Sequence, residues 1–182
     1  RVIWWSLPEP TAVPPGLASV IESEPSGVRW HSAAETARLL TLMSPRNLAK
    51  VEAARQTGAR CVGGLYRRTR RDAAGGRVQR AEVRFDGLAG CLRTARGGSS
   101  RQTVVVIDPA FEDAGLRTRL MSPREAARLM GLGDDYVLPK GAAAALTLVG
   151  DGVAVPVVAF LERHLLRQMV IACQSARQAA QA

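Results

Sequence analysis

The stretch from Cys61 to Thr118 constrains the fold most, because short β-like runs alternate there with clusters of Gly and Arg. Runs rich in β-branched and apolar residues, bounded by Gly or polar residues, are typical of strands. The pattern predicts strands at Cys61–Tyr66, Val78–Phe85, Leu88–Arg93 and Thr103–Ile107. Arg70–Gly76 is typical of a hairpin tip, and Gly97–Ser100 of a second loop. Residues 61–118 are therefore expected to form a small, twisted, mostly antiparallel β unit.

The residues before this unit predict a strand, a connector and two helices in turn. Residues 1–6 have the apolar run of a short buried strand, and residues 7–30 are rich in proline, which favours an extended connector. A helix is expected to begin near Ser32. A second should have Ser44 as its N-cap and Pro45 at its first position, and should end near Gln56, where Gly58 closes it.

Helical signals return after the β unit. Ser122-Pro-Arg-Glu125 has the form of a capping box, and Gly131 is placed to end the helix that follows. Residues 140–149 predict a short Ala-rich helix, and residues 157–179 a final helix after a break at 150–156. Together with the β unit, these helices make the expected fold class α+β.

Composition excludes several classes of protein. Apolar residues make up 47% of the 182, which supports a packed core, and no apolar run reaches the length of a membrane span. Three widely spaced cysteines argue against a disulfide framework and for a reducing compartment such as the cytoplasm. Two histidines and no Cys-x-x-Cys pattern leave no credible metal site.

The positive charge of the chain is concentrated in one window. The formal net charge is +9, and residues 60–101 hold 11 Arg against three acids, which places +8 of it there. A genome rich in G and C favours Arg codons, but codon usage does not explain why the charge is clustered. An acidic polymer is the natural partner of such a surface.

Two later segments carry a family resemblance. The first is Arg119-Leu-Met-Ser-Pro-Arg-Glu-Ala-Ala-Arg-Leu-Met-Gly131, with Asp134-Asp135-Tyr136 close behind. The second is Gly150-Asp-Gly-Val-Ala-Val-Pro-Val-Val158. In this order, after an Arg-rich β segment, they resemble the last two conserved blocks of bacterial DNA (cytosine-5)-methyltransferases. The resemblance implies a DNA target-recognition domain at 61–149. It makes 150–182 a helix returning to a catalytic α/β domain absent from this chain. Residues 1–60 would be a remnant of a strand of that domain, followed by a Pro-rich connector and helices.

The resemblance also implies roles for single residues. Arg119, Arg124, Glu125 and Gly131 would organise the recognition domain. Asp151 and Gly152 would lie at the edge of the site for the methyl donor, S-adenosylmethionine. This chain has Gly-Asp where the family commonly has Gly-Asn, so a contact by the side chain of Asp151 would lose a hydrogen-bond donor.

Two groups of side chains are candidates for contact with double-stranded DNA. The segment after Cys91-Leu92, where the family carries Thr-Leu, has the residue types that read bases: Arg93, Arg96, Ser99, Ser100, Arg101 and Gln102. A second group is expected to contact phosphates, which positions a protein without specifying sequence: Arg67, Arg68, Arg70, Arg71, Arg77 and Arg80.

The chemistry of cytosine methylation needs groups that this sequence lacks. The family attacks a flipped cytosine with the thiolate of a Pro-Cys pair, but Cys61, Cys91 and Cys173 follow other residues and are expected to be small buried hydrophobes. A Gly-rich donor-binding loop after a strand is missing too. Arg1 is a possible contact to the target cytosine. The chain alone is therefore expected to be inactive, with weak or no binding of S-adenosylmethionine.

Three readings of the chain stay open at this point. It could be the C-terminal part of one methyltransferase, a separate DNA-specificity subunit of a split enzyme, or a non-enzymatic Arg-rich DNA-binding module. The coding sequence before Arg1 would discriminate between them. Unless something covers it, the helix at 157–179 should expose an apolar face that includes Phe160 and Leu165. Self-association of the isolated chain, or docking of this helix on a neighbouring copy, is therefore expected.

Overall fold

The computed structural model describes residues 6–11, 15–72, 74–94, 101–112 and 115–179. Four strands form one sheet: β1 (Cys61–Arg71), β2 (Arg77–Arg84), β3 (Thr103–Ile107) and β4 (Leu116–Leu120). The strand order is β2-β1-β3-β4, and each neighbouring pair is antiparallel. The fold class is α+β, as expected.

Helices flank the sheet in sequence. Before it come α1 (Leu17–Val20), α2 (Ala33–Thr41) and α3 (Pro45–Gln56). After it come α4 (Pro123–Leu129), α5 (Ala142–Asp151), α6 (Val155–Leu161), a π-helical turn (Glu162–Leu166) and α7 (Arg167–Ala179). The chain divides into two compact units, one of residues 15–152 and one of residues 1–14 and 153–182.

In the larger unit, both faces of the sheet are covered by helices. Since successive side chains of a strand point to opposite faces, a single strand can contribute to both cores. On one face, Leu65 and Val105 belong to a buried apolar cluster that includes residues of α3, and Leu39 and Leu40 of α2 pack against it. On the other face, Val104 and Val106 pack with residues of α1, α4 and α5. The five residues of β3 are all buried. This strand therefore serves both cores.

Most predicted elements are confirmed. Ser32 caps α2 through a capping box, and α3 begins at Pro45 and ends at Gln56. Strand β3 has the predicted bounds, and the hairpin tip lies between Arg71 and Arg77. Ser122 and Glu125 form the predicted capping box at the start of α4. The two segments predicted to be helical, 140–149 and 157–179, correspond to α5 and to α6 with α7. The break predicted at 150–156 is shorter, because α5 continues to Asp151 and α6 begins at Val155.

Three expectations about local structure were wrong. Residues 88–93 form no strand, and β4 at Leu116–Leu120 was missed. Residues 7–30 were expected to be an extended connector, yet they contain the short helix α1, whose Leu17 is fully buried. In each case tertiary packing decided the conformation. The predicted strand at 1–6 lies almost wholly outside the described residues.

The smaller unit is largely helical and exposes apolar side chains. Val157, Leu166 and Met169 are exposed, whereas Phe160 and Leu165 are half-buried. The expectation of an exposed apolar face is confirmed for the helix, although the two residues singled out for it are partly covered. Across the described residues, the helical stretch Ala142–Gln178 is long and apolar enough to span a membrane by length and composition alone.

Candidate nucleic-acid interface

Strands β1 and β2 continue well beyond the rest of the sheet. The pairing of β1 with β3 ends at Leu65 opposite Thr103, whereas β1 pairs with β2 as far as Arg71 opposite Arg77. Residues 66–71 and 77–82 therefore form a two-stranded ribbon about 20 Å long at roughly 3.3 Å per residue. All six arginines expected to contact phosphate lie on this ribbon and are exposed.

The turn at the ribbon tip is held by Asp72. Its Oδ1 accepts hydrogen bonds from the backbone N–H groups of Ala74 at 3.0 Å and Gly76 at 2.7 Å. Gly75 has a φ of 82°, a conformation that glycine adopts without strain. Because its carboxylate is committed to the turn, Asp72 fixes the register that brings Arg71 opposite Arg77.

One face of the ribbon contains its own acid. Glu82 lies between two arginines on this face: Arg70 donates from Nε at 3.1 Å, and Arg68 Nε lies 3.7 Å away. The guanidinium of Arg68 also lies 4.7 Å from the ring centroid of Tyr66. Burial alone would raise the pKa of the Glu82 carboxyl, but the hydrogen bond and charge of Arg70, with the charge of Arg68, hold it below its ordinary value. Arg68 and Arg70 thus share one ionised carboxylate.

The other face of the ribbon carries no acid. It is the face toward α2, and we call it the α2-side face. Its ribbon residues are Arg67, Thr69, Arg71, Arg77, Gln79 and Ala81. At its base lies a cleft of about 350 Å³, lined by His31, Glu35, Arg38, Leu39, Leu42, Arg67, Gln79, Thr103 and Leu120. Arg71 and Arg77 are directly opposite each other, an arrangement of like charges that costs stability.

Glu35 is the acid that lines this cleft, and it is committed to another arginine. Arg29 donates to both of its carboxylate oxygens, at 2.7 and 2.8 Å, and the backbone N–H of Ser32 donates at 2.8 Å. These hydrogen bonds, that of Arg29 first, lower the pKa of Glu35 to about 2. Desolvation lowers the pKa of His31, so this histidine is neutral at pH 7. Arg38 and Arg67 therefore give the cleft its positive charge.

The second group of DNA-contact candidates is placed differently. Arg93 is exposed, whereas Arg101 is half-buried and donates from Nη2 to the carbonyl of Met121 at 3.3 Å. Burial lowers the pKa of Arg101. Gln102 donates to the carbonyl of Cys91 at 3.3 Å and packs against Gly90, where an added Cβ would lie 2.6 Å from its Nε2. Arg96, Ser99 and Ser100 lie outside the described residues.

Behind the ribbon, Arg119 and Glu125 form the buried polar centre of the unit. Arg119 donates from Nη1 to Glu125 Oε2 at 2.8 Å and from Nη2 to Glu125 Oε1 at 2.5 Å. It also donates to the carbonyl of Glu22 at 2.7 Å and lies 4.9 Å from the ring centroid of Trp30. The pair thereby joins β4, α4 and the segment after α1. Glu22 and Trp30 were missed because they are far from Arg119 in sequence, Glu22 by 97 residues.

The hydrogen bonds of Glu125 decide its ionisation. Burial would raise the pKa of its carboxyl, but hydrogen bonds from Arg119 and from the N–H groups of Ser122 and Glu22 outweigh burial and hold the pKa below its ordinary value. Glu125 is therefore ionised inside the protein, with a charge-assisted partner on each oxygen.

The other two residues expected to organise the domain are Arg124, in the first turn of α4, and Gly131, just after that helix. Arg124 donates to the carbonyls of Gly133 at 3.0 Å and Tyr136 at 2.9 Å, which fixes the turn after the helix. Gly131 has a φ of 80°, as a residue that ends a helix often does. Sequence reasoning missed Arg128, which is bonded to both Asp134 and Glu22.

The residues implied for the donor site do not enclose a pocket by themselves. Asp151 is the last residue of α5 and Gly152 its C-cap, and both are exposed. A carboxylate at a helix end suits an ammonium or a hydroxyl of a ligand. Two exposed residues can touch a molecule of the size of S-adenosylmethionine but cannot bury it. The described residues therefore do not fit a complete donor site, and Arg1 lies outside them.

The cysteines are less buried than expected. All three are free; Cys61 is half-buried, but Cys91 and Cys173 are exposed. The expectation that each is a small buried hydrophobe was wrong for the last two. Cys91 lies in the irregular segment that replaces the predicted strand, and Cys173 lies on the exposed helix α7.

Comparison with known proteins shows which family the chain resembles. A sequence model of the family described as C-5 cytosine-specific DNA methylase matches residues 26–167. The chain is 34% identical over 95 residues to the Type II methyltransferase M.HpaII of Haemophilus parainfluenzae, a match covering 46% of this chain and 26% of that protein. The matched part thus spans about a quarter of this relative's length. No solved structure matches the chain.

Proposed function

Because the chain belongs to the C-5 cytosine-specific DNA methylase family, we propose that it is the DNA-recognition portion of a DNA (cytosine-5)-methyltransferase. In this proposal residues 61–149 grip duplex DNA, and the helix at 150–182 packs against the catalytic domain. The methyl donor is S-adenosylmethionine, and the acceptor is C5 of a cytosine flipped out of the duplex.

The observation that carries this proposal is the arginine ribbon. A two-stranded ribbon fits the major groove of B-DNA, and this one presents six exposed arginines where the sheet has ended. The Arg71–Arg77 pair is unfavourable in the free protein, and phosphate between the two guanidinium groups would relieve it. A polyanion is therefore the partner that this charge distribution supports best.

Catalysis in this proposal uses residues outside this sequence. No cysteine here follows a proline, which is the position of the family's nucleophile. The thiolate that attacks the cytosine and most of the donor site then come from another part of the enzyme. The chain by itself should take up little or no S-adenosylmethionine in isothermal titration; saturable binding at micromolar donor would contradict this division.

Duplex binding by the 182-residue chain tests the proposal. The measurement is fluorescence anisotropy of a labelled random-sequence duplex at 50 mM salt, for the unchanged chain and for an Arg71→Gln, Arg77→Gln double variant. Loss of two phosphate contacts should weaken binding about tenfold or more. An Arg46→Gln, Arg177→Gln double variant is the matched control, because it removes the same charge from two exposed positions off the ribbon. Equal weakening by both variants would contradict ribbon binding.

A further inference from the structure

The two faces of the ribbon are not equivalent, and the difference indicates which one meets DNA. The face with Glu82 has Arg68 and Arg70 held by that carboxylate. The α2-side face has three ribbon arginines, no ribbon acid, and a positively charged cleft at its base. Approach of phosphates to the Glu82 face would bring like charges together. On the α2-side face the ribbon itself offers only positive and neutral groups, and the carboxylate of Glu35 in the cleft at its base is paired with Arg29.

A neutral polar pair lies in the middle of the α2-side face. Thr69 and Gln79 are directly opposite each other in the β1–β2 register, and both are exposed. Next to them on the same face, Arg67 lies toward the sheet, and Arg71 and Arg77 lie toward the tip. From Arg67 to Arg71 is four residues, or about 13 Å. This spacing matches the width of the major groove, about 12 Å.

On this evidence, and resting on the proposed function, we propose that the α2-side face enters the major groove and that Gln79, with Thr69, reads a base pair there. The carboxamide of Gln79 can accept from adenine N6 and donate to N7, and the methyl group of Thr69 can contact the thymine methyl. Arg67, Arg71 and Arg77 hold the phosphates on either side. Gln79 takes the reading role that sequence reasoning gave to Gln102, whose carboxamide is engaged with Cys91 inside the domain.

Selection from a random duplex pool tests the base-reading role. The unchanged chain should enrich a site that contains an A·T pair at one position, and Gln79→Ala should lose that preference by roughly 5- to 150-fold. Affinity for random DNA should stay within about twofold, because no phosphate contact is removed. Gln79→Glu, which keeps the size but loses the donor, should also change the preferred base pair. Gln56→Ala, at an exposed position on α3, is the control and should keep the original preference.

A second comparison tests the choice of face. Arg77 and Arg80 are exposed arginines of β2 on opposite faces of the ribbon. Arg77→Gln should weaken binding to every duplex at least threefold more than Arg80→Gln does. The reverse order, or an unchanged base preference in both Gln79 variants, would overturn this inference while leaving the proposed function standing. Failure of the unchanged chain to bind duplex DNA at all would overturn both.

Discussion

Arg119 and Glu125 form a two-pronged ion pair in which both side chains are completely buried, with 0% of either exposed to solvent. Burying two charges is costly, and further hydrogen bonds to the pair offset part of that cost. Glu125 therefore also accepts from the backbone of Ser122 and Glu22, and Arg119 donates to the carbonyl of Glu22. The pair specifies how β4, α4 and the segment after α1 meet, and so holds the sheet from which the ribbon projects.

Removing one charge of this pair should destabilise the domain severely. Glu125→Gln leaves the Arg119 guanidinium buried without a counter-ion, and we expect a loss of about 3–5 kcal/mol in the free energy of unfolding. Urea unfolding followed by circular dichroism measures it. The control is Glu162→Gln, which breaks an exposed two-pronged pair with Arg167 and should cost well under 1 kcal/mol. Similar losses in the two variants would show that burial of the first pair is unimportant.

Acid should remove the contribution of Glu125. Its pKa in the folded protein is held below the ordinary 4.5, so the unfolded chain binds more protons than the folded chain as the pH falls past that value. The stabilisation is thus fully present above about pH 4.5 and is lost as the pH falls toward the folded pKa. Glu125→Gln lacks this group, so the stability gap between it and the unchanged chain should narrow between pH 6 and pH 3. A gap that stays constant over this range would contradict the account.

Gly150 is expected to tolerate no side chain. A Cβ at this position would lie 2.6 Å from the backbone nitrogen of Thr94 and 2.7 Å from the carbonyl carbon of Arg93. Backbone atoms cannot rotate away, so the clash should outweigh the gain of about 1 kcal/mol that alanine brings to a helix. Gly150→Ala should lower the free energy of unfolding by about 1–2 kcal/mol in thermal or urea unfolding.

The matched control for that substitution is Gly141→Ala. Gly141 is the N-cap of the same helix, and an added Cβ there meets nothing within 4 Å. A loss below about 1 kcal/mol is expected, because alanine is a poorer N-cap than glycine but meets no clash. If Gly150→Ala were equally harmless, the close approach of α5 to the 93–94 segment would be wrong.

The sequence predicts an element well when the element's own residues determine its conformation, and poorly when residues on another element determine it. Strand β3 was predicted with its exact bounds because five consecutive β-branched residues, buried on both faces, leave little choice. Strand β4 was missed because Arg117 and Arg119 make its pattern look polar. Arg119 points inward, and only the presence of Glu125, six residues away on another element, makes that possible.

In the candidate site, too, the features that depend on strand pairing and packing could not be predicted from the sequence. The cluster of arginines was visible in the sequence, but the division of the ribbon into a face with Glu82 and a face without an acid depends on strand register. Hydrogen-bonding capacity alone could not separate Gln79 from Gln102. Their difference lies in surroundings: Gln79 is exposed between arginines, whereas Gln102 packs against Gly90.

The salt dependence of duplex binding tests the central claim most directly. The logarithm of the binding constant should fall linearly with the logarithm of salt concentration, with a slope of about −0.9 for each phosphate contacted. With Arg67, Arg71 and Arg77 on phosphates, the slope for the unchanged chain should be about −3 or steeper, and Arg71→Gln should make it shallower by about 0.9. Absence of binding at low salt, or a slope that Arg71→Gln leaves unchanged, would contradict DNA recognition by the ribbon.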